Sequence, residues 1–207
     1  MKNIKKLILT VIFVVLHAFG AALAIKAAVG VTVFDAFNQT LAESFNLKIG
    51  SMIFIVNLSF VFLQMIISKK VIKSLYLFQF IIAYLLGYFV NIFLYEILLF
   101  RLDTYYIRII LFIISIVIVA FSIAAMINIG LVTYPGETLC VLISEKNNIN
   151  FRKVRLSLDI ILIVIALFVT YIFKTGLYIR EGTILSTLLL SPLLSYFIEK
   201  PKVVMEK

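Results

Sequence analysis

The chain has 207 residues, of which 64% are hydrophobic and only 14% charged, with a formal net charge of +9. Soluble domains carry roughly 25% charged residues, so this composition cannot supply a water-facing surface. Its Lys and Arg residues are scattered between apolar runs, which excludes the single basic face that nucleic acid requires. An integral membrane protein follows, and because lipid offers no partner to backbone amides, the long apolar runs must be helices.

About 20 mainly apolar residues cross a bilayer core. In chain order the runs that meet this length are roughly Leu7–Ala28, Ile49–Ser68, Val71–Phe100, Tyr105–Ile129, Lys153–Tyr171 and the shorter Ile184–Ile198. Lys2, Lys5 and Lys6 ahead of the first run resemble a signal peptide, but no clean small-residue cleavage pattern follows and five more spans do, so it reads as a retained span. Two segments are too short and polar to cross. Thr32–Asn46 carries Asp35, Asn38, Gln39 and Glu43, and Pro135–Asn148 carries Glu137, Ser144 and Glu145. Each is expected to lie in the interface as a helix or to re-enter the membrane as a half-helix lining a cavity.

Six spans with the N-terminus inside put thirteen Lys and Arg residues on the cytoplasmic side, among them Lys69, Lys70, Arg152, Lys200, Lys202 and Lys207, against six outside. The positive-inside rule is satisfied. Eight crossings, with both polar segments counted as spans, give the same division, so length and polarity decide for six. The expectation is one all-α membrane domain over residues 1–207, in a bacterial plasma membrane, with both termini cytoplasmic.

Laid over itself at an offset of about one hundred residues, the chain echoes. Gly30 meets Gly130 and Phe34 meets Tyr134; after a two-residue shift Asp35 meets Glu137, Glu43 meets Glu145 and Asn57 meets Asp159; later Gly87 and Asn91 meet Ser191 and Ser195. Both halves, about 7–100 and 105–198, run span, polar segment, span containing Asn or Asp, span. Three crossings per copy is an odd number and turns the second copy upside down, giving two inverted three-helix repeats, the plan of many secondary transporters. The alternative is a duplication that merely stabilises a bundle, as in a scaffold or accessory subunit of another membrane or biosynthetic complex.

Asp159 lies about seven residues, roughly 10 Å, into the fifth span, where a lone carboxylate costs about 2.5–3.5 kcal/mol. It either pairs with Arg155 one turn earlier or binds an ion or substrate. Asn57, its counterpart, suits a packing hydrogen bond between helices or the same site. Asp35 and Glu137 suit the positive ends of helix dipoles, or a gate or cation site. His17 falls near the middle of the first span, where a hydrogen bond to a neighbouring helix or a proton relay accounts for it. Gly20, Ala21 and Ala24, with Ser122, Ala124 and Ala125, would bring spans one and four together. Gly30, Gly136, Gly182 and Pro192 mark backbone breaks.

The single Cys140 permits no intrachain disulfide, and no metal-binding spacing, nucleophile elbow or phosphate loop occurs, so neither a cofactor nor an enzymatic activity is expected. The expected partners are the lipid bilayer and a small solute, with a second copy or another membrane protein also admissible.

Gly30 ahead of Asp35, Gly50-Ser51 followed by Asn57, Tyr134-Pro135-Gly136-Glu137, Phe151-Arg152-Lys153-Val154-Arg155 with Asp159, and Gly182-Thr183 leading to Pro192 together carry a likeness. The chain resembles the YczE/YyaS/YitT group of bacterial integral membrane proteins over nearly its whole length. It departs from the group in lacking a proline shortly after Gly30 and in placing Ser191 where glycine is usual before the proline. The resemblance implies a multi-span helical membrane protein with a transporter or accessory role.

Overall fold

A computed structural model describes residues 2–68, 73–100 and 102–199; Lys69, Lys70, Val71, Arg101, Lys200, Lys202 and Lys207 lie outside them. The helices are α1 (Lys2–Ala27), α2 (Val33–Ser44), α3 (Ile49–Ser68), α4 (Lys73–Ile92), α5 (Tyr105–Ile129), α6 (Pro135–Asn147), α7 (Phe151–Phe173) and α8 (Glu181–Glu199). No strand occurs among the described residues. Six of the helices are long and apolar enough to cross a membrane, and large apolar side chains such as Ile66, Tyr171 and Leu188 point outward from them. Lipid is the solvent such a surface fits.

Two spans differ from the sequence expectation. The third is α-helical only to Ile92 and continues as a π-helical turn, Phe93–Ile97. The last is 19 residues long and runs through Pro192, because a proline removes one backbone donor without ending a helix that neighbours support.

Four helix ends share one cause, single residues in left-handed backbone. Ala28 (φ 54°) stops α1 and Gly130 (φ 63°) stops α5, while Asn46 (φ 53°) and Asn148 (φ 52°) follow α2 and α6; asparagine is among the few side chains that tolerate this region. Each pair is 102 residues apart, as are the starts of α3 and α7. Gly130 therefore corresponds to Ala28 rather than to Gly30, and Tyr134 to Thr32 rather than to Phe34. The identity of two glycines had masked the conformation that Ala28 and Gly130 share.

The most extensive contact joins α1 to α5, as the small residues there predict. A Cβ on Gly20 would stand 2.9 Å from Val119 Cγ2 and 3.2 Å from the Ser115 carbonyl oxygen. Around this axis α4 packs on α1 and α8 on α5, while α2 packs on α3 and crosses to α7, and α6 packs on α7 and crosses to α3.

One close contact joins α3 to α4. α3 and α4 meet at Gly50 and Gly87, where a Cβ on either would come within 1.9 or 2.2 Å of the other's carbonyl oxygen. The Gly50 amide donates to Asn91 Oδ1 (2.9 Å) and Asn91 Nδ2 donates to Ser51 Oγ (3.4 Å). Among the described residues α7 and α8 make no comparable contact.

Candidate functional site

The site is assembled by the starts of the two short helices. Thr32 caps α2: its hydroxyl oxygen accepts from the Asp35 amide (3.1 Å) and donates to Asp35 Oδ2 (2.7 Å), which sets Asp35 at the third helical position. In α6 Tyr134 precedes Pro135 at the first position, so Glu137 is also third. Proline there loses no hydrogen bond that the helix would have made. Both carboxylates thus stand near the positive end of a helix dipole.

Asp35, Glu137, Asn57 from α3, and Arg155 and Asp159 from α7 line one cavity of about 50 Å³, space for about three waters at roughly 15 Å³ each. The four residues singled out in the sequence as a binding site therefore share one space. Arg155 Nη1 donates to Glu137 Oε1 in an ion pair, and its Nε stands 3.5 Å from Asp159 Oδ1. The i,i+4 pair is present, but the guanidinium also reaches to α6. Burial pushes the Asp35 carboxyl up to about 6, opposed by the hydrogen bond from Thr32. Asn57 Nδ2 donates to Ile53 O of its own helix (2.9 Å), not across to a neighbour as a packing role would have it. His17 joins the lining, its ring 4.6 Å from that of Tyr134. Instead of bonding a neighbouring helix, its Nδ1 is left without a partner, as is the Tyr134 hydroxyl, on a residue only 3% exposed.

The residues read as backbone breaks fall in different places. Gly30 (φ 148°) lies in the link between α1 and α2 and backs onto Gly182, where a Cβ on either would come within 2.7 to 3.0 Å of the other's backbone. Gly182 and Gly136 sit in the first turns of α8 and α6, just past the breaks, and Pro192 sits inside α8. Of these only Gly136 lines the cavity.

From the cavity a larger cleft of about 310 Å³ opens between α7 and α8. It shares Glu137, Arg155 and Asp159 with the cavity and is walled by Arg152 and Leu156 of α7 and by Ser191, Leu194 and Ser195 of α8. In the sequence echo Ser191 and Ser195 meet Gly87 and Asn91, which are in contact with α3. At the opposite end Glu43 of α2 accepts from the Gly176 amide (2.8 Å) and the Tyr178 hydroxyl (2.9 Å), tying α2 to the link between α7 and α8. Sequence reasoning missed Tyr134 and the cleft walls as site residues; the sequence echo paired Ser191 and Ser195 with Gly87 and Asn91 but carried no sign that one pair is packed and the other apart.

The comparisons with known proteins point to a membrane protein. The chain is 27% identical over 183 residues to the uncharacterized membrane protein YczE of Bacillus subtilis (strain 168), covering 88% of this chain and 80% of that one. No solved structure matches. The resemblance to the YczE-like group holds across nearly the whole chain, and with a family match spanning residues 4–199 the chain belongs to the family of unknown function DUF6198.

Proposed function

We propose that this protein is a secondary transporter of a small solute in the bacterial plasma membrane, in which two inverted three-helix repeats rock about the cavity between Asp35, Glu137 and Asp159. The observation that carries this reading is the one-sided cleft. Corresponding positions are packed between α3 and α4 but stand apart between α7 and α8, so the charged cavity is reached from the side where α7 begins and α8 ends. The distribution of Lys and Arg supports the cytoplasm as that side. Exchanging the two packings would shut this entrance and open the other, which is alternating access by rocking of repeats. The short helices support it further, because each starts at the cavity and ends by leading into a span that begins at a membrane surface, in the manner of half-helices at a transport site.

A wedge tests the reading. A Cβ on Gly87 would stand 2.2 Å from the Gly50 carbonyl oxygen, so Gly87→Ala should pry α3 from α4 and favour the opposite packing. The readout is the rate at which a membrane-impermeant maleimide labels Ser191→Cys in inside-out vesicles. Background is low, because Cys140 is buried and burial pushes its thiol up to about 11. Labelling is expected in the parent and severalfold slower with the wedge. An unchanged rate in well-folded Gly87→Ala protein would favour a static scaffold instead.

A further inference from the structure

We propose that the solute is a small amphipathic organic monocation, its ammonium head seated in the cavity and its apolar part in the cleft. The assignment deepens the transport reading and rests on it for the idea that the occupant comes and goes. Three carboxyl groups, Asp35, Glu137 and Asp159, face the cavity against one guanidinium, Arg155, which two of them already hold. The remaining basic side chain, His17, packs on the Tyr134 ring. A surplus of negative charge at membrane depth is costly unless compensated, and an entering cation compensates it. Within the cavity an anion would find only an engaged guanidinium.

A second observation points independently to an occupant. The Tyr134 hydroxyl is buried, lines the cavity and has no partner, so it offers an acceptor oxygen to an N–H group of the head. Phe34 and Phe60, with ring centroids 6.1 Å apart, line the same space, and aromatic faces attract ammonium groups. The carboxylates are not grouped to hold a metal ion among the described residues. Size divides the ligand: a cavity of about 50 Å³ takes a head group, and the cleft of about 310 Å³, with Leu156, Leu190 and Leu194 in its walls, takes a short hydrocarbon chain. Arg152 in the cleft wall disfavours a second positive charge at the chain's far end.

The test is calorimetric titration of the full-length protein in nanodiscs, with empty nanodiscs subtracted, using hexylammonium, hexanesulfonate and hexanol as probes. Hexylammonium alone is expected to bind. Glu137→Gln and Asp35→Asn should each weaken it roughly tenfold or more. Because Glu137→Gln also disturbs Arg155, Asp35→Asn, checked for native thermal unfolding, is the decisive variant. Unaltered affinity in folded Asp35→Asn protein, or equal binding of hexanesulfonate or hexanol, would overturn the assignment. The two readings fail separately. Hexanesulfonate binding together with a wedge effect on Ser191→Cys labelling would remove the cation and keep transport, whereas cation binding without any wedge effect would keep the cation and remove transport.

Discussion

Arg155 is held by carboxylates from two helices, and this changes what its removal should do. Arg155→Gln leaves Glu137 and Asp159 facing one another without a counter-charge, a loss on the order of 1–3 kcal/mol for a pair only partly shielded from water. Asp159→Asn leaves Glu137 on the guanidinium and should cost about 1 kcal/mol. The double variant Asp159→Asn with Arg155→Gln should stay destabilised, because Glu137 is still unpaired, and adding Glu137→Gln should restore stability. Chemical unfolding of the purified proteins measures this, and full recovery in the double variant would mean that the contact to Glu137 carries no energy. Helical spacing made the Arg155 and Asp159 pair legible in the sequence. Glu137 was legible as a helix start but not as a partner, because the contact bridges two helices and only their packing decides it. Of the two roles open to Asn57, its side chain lines the cavity and bonds back to the carbonyl four residues earlier, that of Ile53, instead of across to another helix, and spacing alone cannot distinguish these.

The helices themselves were largely legible, because an apolar run of membrane length has one means of satisfying its amides. The short helices were legible too, through Asp35 and Glu137 at the starts of mixed segments too short to cross, where carboxylates suit a helix dipole. What the sequence could not disclose is which glycine serves a close approach, since that depends on a second chain segment. Gly30 and Gly136 make the contrast measurable. Gly30→Ala places a Cβ 2.7 Å from Gly182 Cα in left-handed backbone and should lower stability by about 1–3 kcal/mol. Gly136→Ala lies in a helix with its Cβ an ordinary 3.5 Å from the Phe60 ring, and should be neutral or stabilising by up to about 1 kcal/mol. Thermal unfolding of the two variants, run side by side, should separate them; equal losses would contradict the account of both positions.

At the scale of the molecule the order of elements was legible and the state was not. The sequence echo pairs α7 and α8 with α3 and α4 but does not disclose that one pair is packed and the other apart; on the transport reading, a difference of a few kcal/mol decides which packing is populated. α7 buries the smallest share of its surface of the six spans, the mark of an element that separates easily from its neighbours. The account stands on that separation being reversible. The direct measurement is the distance distribution by pulsed electron paramagnetic resonance between spin labels on Arg152→Cys and Ser195→Cys, across the cleft, in lipid nanodiscs. Rocking predicts a long and a short population, with the short one enlarged by Gly87→Ala. A single population that the wedge leaves unmoved would contradict it.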